Sequence, residues 1–412
     1  MKNIQKAYEI IYATQYQGAY ASLLLKQVDD DYNVALITEL VYGTIRNYRY
    51  VFATWRQFTE TKLKQKVSAL LDLGVYMLRF SDKPDYAIVN NIVEISKQIE
   101  KKRYTKLVNA VLNNCLKTDP LVLSDDQPSE MALKYSHPEW LVHLWIAHYG
   151  HERTLEILKY NLTRNTVTLR SNHHKISTDD LLKMDDRFSK GHLAPEEVYF
   201  DGNIFETEYF KKGLVSVQDA ASQLVAHHVN ANVDDTILDT CSAPGTKAIH
   251  IASLRHDKGK LDAVELHESR SHLIRNECAR LGIESIRVFN HDARFLSDIL
   301  DEEAYEKVLV DVPCTGLGVM RGKPEIKMHI KPEDIDSIVI LQREIIDSSV
   351  KMVKDGGSLI YSTCTINKKE NEQQIKYLLN TYPNFKLKFE ETIFGYEHQS
   401  DSFYIAVLER IA

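Results

Sequence analysis

Apolar positions change their rhythm along this 412-residue chain. Up to about residue 118 they recur in threes and fours, as in "ALLDLGVYMLRF" and "YTKLVNAVLNNCLK", and this spacing predicts helices. In the second stretch Leu107, Val111, Leu112 and Cys115 fall on one face. "TDPLVLSDDQPSE" (118–130) has the Pro, Asp and Ser of a linker. A helix containing "HPEWLVHLWIAHYG" follows. Then "NTVTLRSN" reads as a strand, "STDDLLKM" as a capped helix and "EEVYFDG" as a strand. From Gly213 the pattern becomes strand, helix, strand, helix, with strands at "TILDTC", "LDAVEL", "IRVFNHD", "KVLVDVP" and "GSLIYSTC". Such alternation predicts a parallel sheet covered on both faces. The expected fold class is multidomain: an all-α domain over 1–125, a small α+β connector over 131–212, and a Rossmann-like α/β domain over 213–412.

Composition narrows the class. At 44% apolar and 26% charged residues the chain is globular, and no apolar run reaches the roughly 18 residues of a membrane span. The first residues, MKNIQKAYEIIYATQYQ, lack the apolar core and cleavage site of a secretory signal, so the expected location is the cytoplasm. Five cysteines without a CxxC pair predict neither a disulfide framework nor a metal site. Cys115 and Cys278 read as packed core thiols. Nothing in the chain signals an oligomer, and a monomer is expected.

The net charge is −7, but residues 1–125 carry 17 Lys+Arg against 13 Asp+Glu, whereas the remainder carries 34 against 45. The N-terminal part is the better candidate for a polyanion. Its basic residues cluster at Arg46 and Arg49, at Lys62, Lys64 and Lys66, and from Lys101 to Lys106. Each cluster taken alone reads first as a solvated helix face.

In parallel sheets ligands bind beyond the C-terminal strand ends, and the candidate chemistry collects there. The first strand of the α/β region runs into "DTCSAPGTK", Asp239 to Lys247, whose small residues let backbone N–H groups approach a ligand at a helix start. The segment is neither GxGxxG nor a P-loop, which disfavours a nicotinamide dinucleotide or a nucleoside triphosphate. Glu265 ends the second strand, where an acid accepts from both ribose hydroxyls. Asp292 follows the third, within reach of an adenine amino group. Together they outline a nucleoside-shaped pocket without a polyphosphate cradle, which is the form of S-adenosyl-L-methionine.

Two strands finish by presenting cysteines, at "VLVDVPCTGL" and "LIYSTCTINKKENE". Beside a methyl donor, paired thiols suggest methylation at carbon 5 of cytosine. That carbon is a poor nucleophile until a thiolate adds to carbon 6, after which it takes the methyl group, loses its proton, and the thiol is eliminated. The thiol must be ionised. A carboxylic acid that protonates or hydrogen-bonds ring nitrogen 3 completes the set, and Asp311 fits that place. The residues alone do not choose between Cys314 and Cys364.

These motifs resemble those of the bacterial 16S ribosomal RNA cytosine-C5 methyltransferases that carry an N-terminal NusB-like domain. "DTCSAPGTK" is similar to that family's adenosylmethionine loop, "DVPCTGLG" and "YSTCTINKKENE" to its two cysteine motifs, and "VSVQDAASQLVA" to the segment ahead of its catalytic sheet. "LVYGTIRNYRY" and "KLVNAVLN" resemble the NusB-like module. The resemblance implies a class I methyltransferase domain. Cys364 would be the nucleophile, and Cys314 would help remove the carbon-5 proton and release the product. Cys241, Ser242, Ala243, Pro244, Gly245, Thr246 and Lys247 would hold the cofactor, with Glu265 on the ribose, Asp292 near the adenine and Asp311 bridging cofactor and base. DNA cytosine-C5 methyltransferases use their Pro-Cys cysteine as nucleophile, which would favour Cys314; the remaining resemblance outweighs this.

The implied partner is 16S ribosomal RNA, at a single-stranded or unstacked cytosine. Transfer RNA is the alternative substrate. A non-catalytic assembly or antitermination factor is the alternative of another class. Two departures stand out: Thr246 replaces the family's usual second Gly, and Arg321, Gly322, Lys323, Pro324 and Glu325 replace Arg-Arg-His-Pro-Asp in a loop expected to face RNA.

Overall fold

The computed structural model describes residues 1–29, 31–99 and 102–411. The chain divides into two compact units, Met1–Arg164 with Met320–Ile330, and Asn165–Val319 with Lys331–Ala412. The expected connector is cut by this division. Its helices Pro128–Lys134, Glu139–Tyr149 and His151–Tyr160 lie in the first unit, and its strands lie in the second.

The first unit is helical. Its hub is the helix Gln65–Phe80, buried at every position from Val67 to Met77. The helices Lys2–Gln17, Val34–Arg46, Tyr48–Arg56, Asp85–Ser96 and Thr105–Lys117 surround it. Gly43 marks the closest approach, because a Cβ there would lie 2.0 Å from the Tyr76 hydroxyl oxygen. The predicted apolar face holds, with Val108, Val111, Leu112 and Cys115 buried and Leu107 packed against them. Burial pushes the Cys115 thiol up to about 11, so it is an inert core residue. Asp72 is the polar exception in this core: Trp55 Nε1 donates to it at 2.7 Å, and burial raises its carboxyl to about 7.

Met320–Ile330, which follows the first cysteine motif, corrects two expectations. Arg46, Arg321 and Glu325 are buried rather than facing solvent or RNA. Lys327 Nζ donates to the Arg46 carbonyl at 2.6 Å, and Tyr48 donates its hydroxyl to the Lys327 carbonyl at 3.2 Å. Arg46 Nη2 reaches the Arg321 carbonyl at 3.4 Å, and the Arg321 guanidinium lies 4.6 Å from the Tyr160 ring centroid. The physical reason is helix capping: the segment supplies a cation to the last carbonyls of Val34–Arg46. Burial then lowers the Lys327 ammonium well below its usual range. Lys62, Lys64, Lys66, Lys102 and Lys106 are exposed, and Lys101 lies outside the described residues.

The second unit holds two sheets. The strands are β1 (Leu169–Ser171), β2 (Phe188–Lys190), β3 (Glu197–Phe200), β4 (Val215–Val217), β5 (Thr236–Asp239), β6 (Lys260–Glu265), β7 (Ile286–Asn290), β8 (Tyr305–Asp311), β9 (Val353–Thr363), β10 (Phe385–Ile393) and β11 (Phe403–Arg410). The small sheet has the order β2-β3-β1-β4 and is antiparallel. The large one runs β10-β11-β9-β8-β5-β6-β7. The five strands read from sequence, β5 to β9, are parallel. β10 and β11, which the sequence reading did not place, join antiparallel at one edge. Strand order reverses between β5 and β8, so the ligand crevice falls there. Buried Arg170 on β1 donates to Gln218 Oε1 at 2.7 Å and to the Thr246 carbonyl at 3.0 Å, fastening the small sheet to the helix Thr246–Leu254. No helix of the described residues is long and apolar enough to cross a membrane.

Candidate active site

Across the C-terminal edge of the large sheet the chemistry-bearing side chains come in strand order: Cys364 after β9, Asp311 and Cys314 at β8, Asp239 and Cys241 at β5, Glu265 at β6, and Asp292 beyond β7. Adjacent strands lie about 4.8 Å apart, so β8 and β9 at the thiol end stand about 10 to 14 Å from β6. A cleft of about 640 Å³ spans this edge. Cys241, Ala243, Glu265, Asp292, Asp311, Cys314 and Cys364 line it, together with apolar Val312, Leu341 and Ile345.

At the thiol end the two sulfurs are 3.3 Å apart. Gly318 N–H donates to the Cys364 carbonyl at 3.0 Å, and a Cβ on Gly318 would meet the Ser402 carbonyl at 2.1 Å, so only glycine lets the two loops close. The Cys314 thiol is pushed well above its ordinary range by its contact with Cys364 and by burial. Lys247 Nζ donates to Asp311 Oδ2 at 2.6 Å, and Ser362 Oγ to Asp311 Oδ1 at 2.7 Å. Burial works against the Lys247 ammonium, but Asp311 and a negative charge on Cys364 outweigh it and raise the group. Lys247, expected to hold cofactor, is not among the cleft-lining residues and gives one of its donors to Asp311 beside the thiols.

At the other end Gly245 takes φ +98° and opens the helix Thr246–Leu254. The left-handed position belongs to Gly245, so Thr246, at the first helical position, has no backbone need for glycine. Ser242, Pro244, Gly245 and Thr246 are not among the cleft-lining residues and shape the turn instead. Cys241 is held protonated by burial, its thiol raised first by desolvation. Glu265 accepts from the His267 N–H at 3.0 Å, with Arg270 Nη1 at 3.5 Å. Asp292 caps the short helix Ala293–Asp298 and pairs with Arg294 at 2.7 Å, which lowers its carboxyl below the usual range.

Family models match three stretches: the 16S rRNA methyltransferase RsmB/F over residues 226–409, the NusB family over 2–117, and an RsmF/B-like ferredoxin-like domain over 137–184. The probable ribosomal RNA small subunit methyltransferase B of Bacillus subtilis is 35% identical over 92% of this chain and 88% of its own length. The chain belongs to the 16S rRNA methyltransferase RsmB/F family. The fold agrees. The crystal structure of PH0851 covers 99% of both chains at a TM-score of 0.84 and 23% identity. That of NSun6 from Pyrococcus horikoshii with SFG covers 67% of this chain and 98% of its own, at a TM-score of 0.62 and 21% identity.

In this RsmB/F-family RNA methyltransferase, two acids of the site escaped the sequence reading. Asp239 ends β5 behind Cys241, and burial followed by the Asp311 charge raises its carboxyl to about 7. The signal was present, since an acid closes each of β5, β6 and β8. Glu370 lies six residues after Cys364 within "TINKKENE" and reaches back to Thr315. One group among the described residues brings metal-ligand types together: Glu196, His227 and His250, with ligand atoms within 4.8 Å of one another. Glu196 pairs with His227 at 2.6 Å, and the buried Arg170 guanidinium already lies in its field, so the cluster is an internal ion network.

Proposed function

We propose that this protein transfers a methyl group from S-adenosyl-L-methionine to carbon 5 of one cytosine of 16S ribosomal RNA, through a covalent bond between Cys364 and carbon 6. The observation that carries this reading is the pair of sulfurs 3.3 Å apart on the wall of a cleft whose far end presents Glu265 and Asp292. The cleft volume of about 640 Å³ suits a ligand of this size. Its donor set also fits: an acid at β6 for ribose hydroxyls, a small-residue turn at a helix start, and carboxylates for a cation, while Arg270 and Arg294 of the lining are paired with Glu265 and Asp292. The NSun6 structure of this fold, solved with SFG, supports the same cofactor. When bound, S-adenosylmethionine supplies an electrophilic methyl group.

The remaining chemistry falls to the chain's own residues. Cys364 Sγ adds to carbon 6. Lys247 donates to the pyrimidine oxygen or nitrogen 3, where negative charge develops, and Asp311 accepts from the cytosine amino group. Uracil would turn a carbonyl oxygen toward that carboxylate, so the pair selects cytosine. After methylation the carbon-5 proton leaves to water rather than to Cys314, which keeps its own proton instead of taking the proton-removing role the resemblance implied, and the carbon–sulfur bond breaks. The electron pair returns to Cys364 Sγ, where the Cys314 S–H stabilises it. The target base must be unstacked to admit a thiol. The domains 1–125, 131–212 and 213–412 are proposed as RNA grip, connector and catalyst, with Lys62, Lys64, Lys66, Lys102 and Lys106 on phosphates.

The test is transfer of tritium from methyl-labelled S-adenosylmethionine to defined 16S fragments and to transfer RNA. Label on 16S RNA, lost in Cys364→Ala, is expected; Cys314→Ala should leave a protein–RNA band on a denaturing gel. Normal turnover by Cys364→Ala would overturn the reading, and label on transfer RNA alone would move the substrate.

A further inference from the structure

The proposed reaction asks two identical thiols, 3.3 Å apart, to behave oppositely. One must ionise while the other keeps its proton. Side-chain chemistry does not separate them, so their surroundings must. On the Cys364 side stands an ammonium, Lys247, which responds to negative charge on that sulfur. On the Cys314 side stands Glu370, a carboxylate with no exposed surface. The Tyr361 hydroxyl stands in the field of Glu370, Cys314 and Asp311.

Glu370 is held from four directions. Its Oε2 accepts from Thr315 N–H at 2.8 Å and from Gln342 Nε2 at 3.3 Å. Its Oε1 accepts from the Thr315 hydroxyl and from Asn367 Nδ2 at 2.9 Å. Thr315 follows Cys314, and Asn367 lies three residues past Cys364, so one carboxylate ties both thiol loops together. Gln342 also donates to the Pro313 carbonyl at 3.0 Å, and Tyr361 donates its hydroxyl to the Glu370 carbonyl at 2.6 Å. An ionised carboxylate is acceptor-only, which is what four converging donors require. Burial raises the Glu370 carboxyl, and those donors pull it back.

We propose that Glu370 is the positioning residue that assigns the two thiols their roles. It sets the Cys314 loop in register with the end of β9, and its charge keeps the proton on Cys314 so that the thiolate forms on Cys364. This rests on reading the cysteines as nucleophile and release partner. The geometry of the clamp carries it; the Cys314 thiol is raised first by Cys364 and by burial, and the Glu370 charge adds in the same direction.

The experiment is alkylation of the full-length protein by iodoacetamide across pH 6 to 10, with the Cys314 and Cys364 peptides quantified by mass spectrometry. RNA and cofactor are omitted, so the result is independent of methyl transfer. In the wild type Cys364 should react at least about tenfold faster than Cys314 near pH 7.5. In Glu370→Gln the Cys314 profile should move about one pH unit toward acid, a tenfold change in thiolate fraction, and the preference should shrink accordingly. Glu370→Asp keeps the charge with a shorter reach. It should retain the preference while kcat falls and KM for RNA holds, and it carries the test if the Gln variant does not fold. An unchanged ratio and profile in folded Glu370→Gln would overturn the proposal, as would equal reactivity in the wild type or a lost preference in Glu370→Asp. A normal alkylation pattern together with no methyl transfer to any RNA would instead sink the functional reading alone.

Discussion

The two ends of the strand edge are built differently. At β8 and β9 the polar groups around the thiols already have protein partners: Asp311 lies between Lys247 and Ser362, and Glu370 receives four donors. At β5 and β6 acceptors are left open. Neither Asp239 oxygen makes a hydrogen bond of good geometry, and Glu265 takes one backbone N–H and a distant guanidinium. The contrast separates two tasks. The reacting end is fixed in advance, so that little reorganisation accompanies the chemistry. Glu265 lines the cleft and keeps lone pairs for a molecule that arrives and leaves, whereas Asp239 lies buried behind that lining.

Substitutions at each end should therefore fail in different ways. The largest effect is expected from Asp311→Asn, which removes the partner of a buried ammonium and the acceptor for the base. Single-turnover rates should fall about 10²- to 10⁴-fold, with cofactor affinity little changed. A loss confined to cofactor binding would erase the distinction drawn above. Glu265→Gln should do the reverse, weakening S-adenosylmethionine binding in calorimetry by about tenfold or more, the range for a hydrogen bond to a charged group, while alkylation of Cys364 stays as in wild type.

A smaller effect is one of pH. The folded-state pKa of Asp239 is raised from 3.8 to about 7, so the stability it contributes is full below its unfolded value and is lost as pH rises toward 7. The cationic cofactor favours the ionised carboxylate, so affinity should rise a few-fold between pH 6 and 8, and Asp239→Asn should flatten that rise. A flat wild-type profile would place the cofactor's charge elsewhere.

Much of this arrangement was legible in the chain because parallel strands end where ligands bind, and the residues at those ends are read directly. Cys314, Cys364, Asp311 and Glu265 all fall where the alternation of strands and helices puts them. What escaped was long-range or masked. The β10 pattern Phe385, Leu387, Phe389 with Lys386 and Lys388 between is a strand signal, but a register shift between Leu387 and Phe389 breaks the alternation. Glu370 meets Thr315 across 55 positions and Lys247 meets Asp311 across 64, and no local periodicity encodes such pairings. Arg46 and Arg321 were misjudged for a related reason: charge suggests solvent until a partner such as the cap from Lys327 is seen.

The most direct measurement uses 16S RNA fragments with 5-fluorocytidine in place of cytidine, incubated with the wild-type protein and S-adenosylmethionine. Fluorine on carbon 5 cannot leave as a proton does, so the adduct persists and its peptide can be sequenced. The prediction is an RNA-linked, methylated pyrimidine on the peptide containing Cys364. Attachment at Cys314, or no covalent product on any fragment that the enzyme otherwise methylates, would contradict it.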